Sequence, residues 1–383
     1  MNVPDKLQKK IEERQHNNLL RSLGDTTNLI DFSSNDYLGL SKSKELFVNT
    51  HHFLAENLIF ENGATGSRLL SGNHSLYTEV EEELCQIHHA EAALLFNSGY
   101  TANLGFFSSV PLRGDIILYD ELIHASIRDG IQLSNAKSYK FKHNNVENLA
   151  EKLAALQQGL QAENQEIYVV TESVFSMDGD MPNLLELVDL CEKYKAYLIV
   201  DEAHALGVLG NKGLGLVQDL QLENKVFARI ITFGKALGCH GAVVLGSKTL
   251  IQFLINFSRS FIYTTALPPH ALATIKVAYD YMLSVKGKGL QKDLHENISY
   301  FLSETKRLEI KFIPSKTAIH CCIISGNKKT RDWAKKLQDF GFDVKPILSP
   351  TVPEGKERLR FCLHSFNSKK EITQVLEKLS TFV

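Results

Sequence analysis

Residues 167–204 read IYVVTESVFSMDGDMPNLLELVDLCEKYKAYLIVDEAH. Two short runs in it, IYVVT (167–171) and YLIVD (197–201), are apolar almost throughout instead of alternating. That composition suits strands buried on both faces. A helical pattern separates them, and strand, helix, strand implies a crossover connection with parallel pairing. Working outward, the same alternation recurs at AALLF (92–96), DIILY (115–119), ARIIT (228–232) and AVVLG (242–246). The prediction is an α/β domain, a mostly parallel sheet flanked by helices. Beyond it, a helical stretch over 269–285 opens at Pro268-Pro269, a suitable helix start. EIKFI (309–313), IHCCII (319–324), DVKPI (343–347) and RLRFCL (358–363) follow, interleaved with helices near 328–339 and 369–381. These predict a smaller C-terminal α+β domain. Before residue 46, helical spacing over 5–22 gives way to the polar stretch 24–28. The expected division is an N-terminal segment 1–45, a large domain 46–268 and a small domain 269–383.

Composition narrows the function. The 383 residues carry 42 Lys plus Arg against 44 Asp plus Glu, a formal charge of −2. Near-neutrality argues against nucleic acid or anionic lipid as partner, since both demand a basic excess. At 44% hydrophobic and 22% charged residues the chain reads as globular, not disordered. No apolar run approaches the ~18 residues of a membrane span, and the first twenty residues are charged and polar, unlike a signal peptide. The expectation is a cytoplasmic protein. Six scattered cysteines without a C-x-x-C pair predict free thiols and no structural zinc. His88 and His89 are adjacent, so on a helix they point apart and make poor joint ligands. No metal site is expected.

Ligands of open parallel sheets bind beyond the carboxyl ends of the strands. The residues there are unusual: Asn97-Ser98-Gly99-Tyr100-Thr101, Glu172 through Gly179, Asp201-Glu202-Ala203-His204, and Thr232-Phe233-Gly234-Lys235. A lysine of ordinary pKa ~10.4 is a poor nucleophile at neutrality unless burial lowers that value. Schiff-base chemistry with an aldehyde cofactor is one reason to place Lys235 there; a solvated lysine in a glycine-rich turn is the plainer one. An acid ending an apolar run, such as Asp201, is costly if unpaired. It could pair with a pyridinium nitrogen, worth ~4 kcal/mol at ~4 Å and an effective dielectric of ~20 before desolvation, or simply cap a helix. Ser98-Gly99-Tyr100, between strand and helix, offers backbone N–H groups to a phosphate or makes a plain turn. His124 could stack on a flat ring or cap its own helix.

Taken together, Phe96–Tyr100, Ile123–Ser126, Thr171–Gly179, Asp201–His204 and Thr232–Gly238 resemble the α-oxoamine synthases, pyridoxal-phosphate enzymes of fold type I. FSSNDYLGL (32–40), GATGSRLLSG (63–72) and Pro350–Pro353 followed by Arg358-Leu359-Arg360 match as well, in the family order. The resemblance implies pyridoxal 5'-phosphate as cofactor, with Lys235 as the amine that takes its aldehyde and later moves a proton. It further implies Asp201 at the ring nitrogen, His204 and Ser176 near the ring hydroxyl, and His124 on the ring face. Ser98, Gly99, Tyr100 and Thr232 would hold the phosphate, joined by Thr264 or Thr265 from a second copy, because sites of this family form in a homodimer. Asn35 would lie beside the reacting amino acid, Arg360 would grip its carboxylate, and Arg21 would meet the distal carboxylate of the acyl chain. The form of residues 63–72 points to the branch that condenses L-alanine with a pimeloyl thioester, carried by CoA or by acyl carrier protein. The alternatives are the branch that uses glycine to make 2-amino-3-oxobutyrate or 5-aminolevulinate and, as the nearer competitor, the branch joining serine to palmitoyl thioesters.

Two rival readings are weaker. Asp201–His204 spells the acidic box of helicases, and Gly241–Thr249 nearly spells a P-loop. Ser247, however, separates the second glycine from its lysine, and the two strings stand in reversed order. A non-catalytic scaffold subunit would be expected to lack the lysine, and Lys235 is present.

Overall fold

The computed structural model describes residues 3–17, 19–21, 23, 28–158 and 165–382. Most of the polar stretch 24–28, and residues 18 and 22 of the expected first helix, lie outside them. Within 5–22 the helix itself spans Asp5–His16.

Twelve strands are described. They are β1 (Ile30–Asp31), β2 (Ala92–Phe96), β3 (Ile116–Asp120), β4 (Lys137–Phe141), β5 (Ile167–Glu172), β6 (Tyr197–Asp201), β7 (Ala228–Thr232), β8 (Ala242–Gly246), β9 (Ile319–Ile323), β10 (Phe342–Asp343), β11 (Lys345–Ile347) and β12 (Arg358–Cys362). Seven form one sheet in the order β2-β8-β7-β6-β5-β3-β4. Its pairings are parallel except at β8, which runs antiparallel to both β2 and β7. Every residue of β5 is buried, which is why its run shows no alternation. Opposite side chains feed separate layers. Val170, Ile199 and Ile230 pack with the helices Gly99–Ser109 and Lys248–Phe257, while Val169, Leu198 and Val200 pack with Leu184–Tyr194.

Three differences from the sequence reading have plain causes. β4 is KSYKF, with only Phe141 buried; lysines on an edge strand block further pairing and erase the apolar signal. EIKFI is not a strand: Ile313 makes one ladder-like bond, N–H to Cys321 O at 2.8 Å, and Pro314 next to it has no N–H to continue. The helix after Pro268 ends at Leu283, and a second of 23 residues, Val285–Arg307, begins at the cap Ser284. Gly287 and Gly289 mask its start in the sequence. Its core face is Leu294, Ile298 and Phe301.

The C-terminal strands form an antiparallel sheet, β11-β12-β9. β1 pairs with β10 in parallel, and Cys362 donates its amide to Phe32 O at 2.8 Å. Residues 30–37 are thereby laid along the C-terminal sheet, which fixes Asn35 and Tyr37 in space. All six cysteines are free. His88 is buried with Nε2 2.9 Å from the Tyr279 hydroxyl, whereas His89 caps the helix end and meets Glu223. Among the described residues no group of three or more His, Cys, Asp or Glu is placed to hold a metal, and no helix is long and apolar enough to cross a membrane.

Candidate active site

Because β2, β3, β5, β6 and β7 all run the same way, their last residues share one edge: Phe96, Asp120, Glu172, Asp201 and Thr232. Glu172 and Asp201 are register partners on neighbouring strands, both buried. Burial first, then the Asp201 charge, hold the Glu172 carboxyl well above its usual range, although His124 N–H donates to it. Lys235, three residues beyond β7, projects into this region. Its residue is partly open to solvent, but its amine is surrounded by protein. Desolvation lowers its pKa to about 8, against the opposing pull of Asp201 and Glu172. No hydrogen bond among the described residues ties it down.

Asp201 is held on both oxygens. Oδ1 accepts from Ala203 N–H at 2.9 Å, and Oδ2 accepts from Asn103 Nδ2 at 2.8 Å. His124 caps the helix Ala125–Leu133. Its Nδ1 lies 2.7 Å from Ser126 Oγ, while the residue as a whole is exposed. His204 is buried, its Nδ1 2.6 Å from the Tyr37 hydroxyl. Burial, then the charges of Lys235 and Arg360, keep its imidazole well below the ordinary histidine value.

The phosphate seat expected at Ser98–Tyr100 is a helix N-terminus. Ser98 Oγ accepts from Thr101 N–H at 3.1 Å, and Ser98 N–H donates to Thr101 Oγ1 at 3.0 Å. The serine side chain is thus occupied as a cap, and the amides of Gly99 and Tyr100 are the ones left without intrahelical acceptors. A Cβ on Gly99 would stand 3.3 Å from Thr232 Cβ, so bare backbone faces that threonine. The Tyr100 side chain turns away to Asp129. Thr265 O accepts from Asn97 Nδ2 at 2.7 Å, placing the exposed turn with Thr264 beside this loop.

From the opposite side, β12 delivers Arg360. It is only 7% exposed; its Nε donates to Ser176 O at 2.7 Å and its Nη2 to Asn35 Oδ1 at 3.0 Å. Tyr37 lies against the same guanidinium. Arg358, two residues earlier on the same face, holds the adjoining loop through Met177 O and Asp178. Gly179 closes that loop at φ +77°, where a Cβ would meet Ile319 O at 2.1 Å. Arg21 is exposed before β1, and no bond among the described residues joins it to this group.

Behind the site, His143 ties two of its loops together, 2.9 Å from Asp120 and 2.8 Å from Asp180. Burial alone would lower its pKa, but the two carboxylates outweigh that and raise it from 6.5 to about 10. A value raised by folding gives a stabilisation that is complete below about pH 6.5 and fades as the pH climbs towards 10. His143→Gln is therefore expected to flatten the fall in urea midpoint over that interval. Equal slopes in both proteins would show that the clamp carries no charge.

The structure thus brings together Lys235, Asp201, His124, His204, Asn35, Arg360 and the backbone of Ser176. The sequence reading assigned no role to Tyr37, Asn103 or Glu172. A faint signal existed for Asn103: it lies four residues after Gly99, hence on the same helix face.

The sequence profile of the aminotransferase class I and II family matches residues 27–379. An 8-amino-7-oxononanoate synthase of Emericella nidulans is 41% identical over 370 residues, covering 92% of this chain and 89% of that protein. Among solved structures, the serine palmitoyltransferase of Sphingomonas wittichii superposes with TM-score 0.89 at 27% identity, covering 100% and 98% of the two chains. A serine palmitoyltransferase with PLP gives 0.89 at 26%, covering 100% and 98%. The 8-amino-7-oxononanoate synthase of Francisella tularensis gives 0.75 at 31%, covering 92% and 97%.

Proposed function

The chain belongs to the aminotransferase class I and II family, and from that premise we propose that it is a pyridoxal-phosphate enzyme condensing L-alanine with a pimeloyl thioester. The products are 8-amino-7-oxononanoate, CO2 and the free thiol, the thioester being carried by CoA or by acyl carrier protein. The observation that carries this reading is the convergence of the Lys235 amine, the Asp201 carboxylate and the Arg360 guanidinium on one strand-end edge.

The residues present fit the cofactor. A buried carboxylate, a lysine with a lowered pKa, an exposed imidazole and a bare helix N-terminus beside Thr232 complement a ring nitrogen, an aldehyde, a flat ring and a phosphate in turn. When bound, the cofactor supplies an electron sink for the carbon next to the amino group. Asp201 would keep a proton at the ring nitrogen, and His204 and Ser176 would serve the ring hydroxyl. Lys235 Nζ takes the proton from the alanine α-carbon and returns one after CO2 has left. Arg360 fixes the amino acid through a forked pair of N–H donors, with Asn35 beside it, and Arg21 meets the distal carboxylate of the pimeloyl chain. Two copies complete the sites, Thr264 or Thr265 of each reaching the other's phosphate. The exposed Leu69, Leu70 and Tyr263 near that turn support such pairing.

The test is a matrix of alanine, glycine and serine against pimeloyl, acetyl, succinyl and palmitoyl thioesters. Alanine with the pimeloyl thioester should exceed every other pair by tenfold or more. Serine with the palmitoyl thioester winning would overturn the assignment.

A further inference from the structure

Asn103 is 2% exposed and sits inside the helix Gly99–Ser109. Its amide nitrogen has two hydrogens, and both are used: one to Asp201 Oδ2 at 2.8 Å, the other to Ser126 Oγ at 3.0 Å. Its own oxygen is buried without a partner, a cost tolerated where the nitrogen's two bonds are needed. The proton order then follows. Ser126 Oγ accepts from Asn103, so its hydroxyl hydrogen is free to point to His124 Nδ1, 2.7 Å away. Ser126 N–H approaches the same nitrogen at 3.2 Å. A nitrogen that accepts two donors carries no hydrogen of its own, so the ring proton of His124 sits on Nε2.

We infer that Asn103 is a positioning residue that acts at two points of the cofactor seat, aiming the Asp201 carboxylate and, through Ser126, fixing the tautomer of His124. The inference rests on the cofactor reading above and deepens it. One amide on the helix that offers its N-terminus to the phosphate thereby sets the ring-nitrogen partner and the ring-stacking imidazole together. Losing a donor to a charged acceptor weakens a dependent contact by about tenfold to a hundredfold.

Asn103→Leu keeps the volume and removes both donors; Asn103→Ser serves if the leucine protein does not fold; Ser126→Ala cuts only the branch to His124. The expected results are a tenfold or larger rise in the PLP dissociation constant for the Asn103 variant, by equilibrium dialysis, and a displaced pH midpoint of the bound cofactor's visible band. Ser126→Ala should change affinity less than threefold. The 15N ring shifts of histidine-labelled protein, with His124→Asn to identify the signals, should show the Nε2–H form in the wild type and a mixture in both variants. A folded Asn103 variant with wild-type affinity, band midpoint and His124 shifts would overturn the inference. A wild-type chain that took up no PLP would instead overturn the cofactor reading, so the two failures are distinct.

Discussion

Lys235→Ala is expected to lower condensation of alanine with the pimeloyl thioester by more than about a thousandfold, with the fold intact. At an ordinary pKa near 10.5, about one lysine in a thousand is neutral at pH 7.5; burial lowers that of Lys235 to about 8, so a far larger share of its amine is neutral. The site therefore spends desolvation on keeping a free amine ready, and no described hydrogen bond competes for it. Alanine at 235 removes the nucleophile and the proton carrier at once. Arginine there restores charge without a titratable amine and should rescue nothing. Borohydride treatment followed by mass analysis provides a second reading. Wild type should gain one reduced cofactor on the peptide containing Lys235, and Lys235→Ala none. A Lys235→Ala protein retaining a tenth of wild-type turnover would falsify the assignment of the base.

The sequence made the scaffold legible where a signal was local. β5 and β6 are uninterrupted apolar runs because both faces are covered, and their ends announced Glu172 and Asp201 as strand-end acids. β4 was hidden because an edge strand with lysines looks like a loop, and Val285–Arg307 because glycines stand at its start. Lys235 and His204 were legible for a related reason, being polar residues placed just after buried strands. The partners that orient His204 and Asp201 were not. Tyr37 reaches His204 across 167 residues of chain, and Asn103 reaches Asp201 across 98. Such contacts arise only once residues 30–37 are laid on the C-terminal sheet and the helix Gly99–Ser109 is packed on the large one. Neither leaves a period or a spacing to read.

Arg360→Met is expected to lower kcat/KM for the amino acid by about a hundredfold to a thousandfold. That matches two charge-assisted hydrogen bonds at about 1.5–3 kcal/mol each, only partly additive. The KM of the thioester should move less than threefold, since the proposed role of the guanidinium is to hold the amino acid. Arg358 provides the structural comparison. It projects from the same face of β12 and holds the same loop, but its bonds go to Met177 O and Asp178 and not to Asn35. If Arg360 served only to pin that loop, Arg358→Gln would impair the enzyme in the same way. The expected difference is a split: Arg358→Gln lowers thermal stability with the amino acid KM nearly unchanged, whereas Arg360→Met raises that KM steeply. In binding assays alaninamide, which lacks the carboxylate, should bind the wild type about as weakly as alanine binds Arg360→Met, and bind the variant little more weakly still. Equal KM changes for the two arginines would remove Arg360 from substrate binding and leave it as a strut between β12 and the loop after β5.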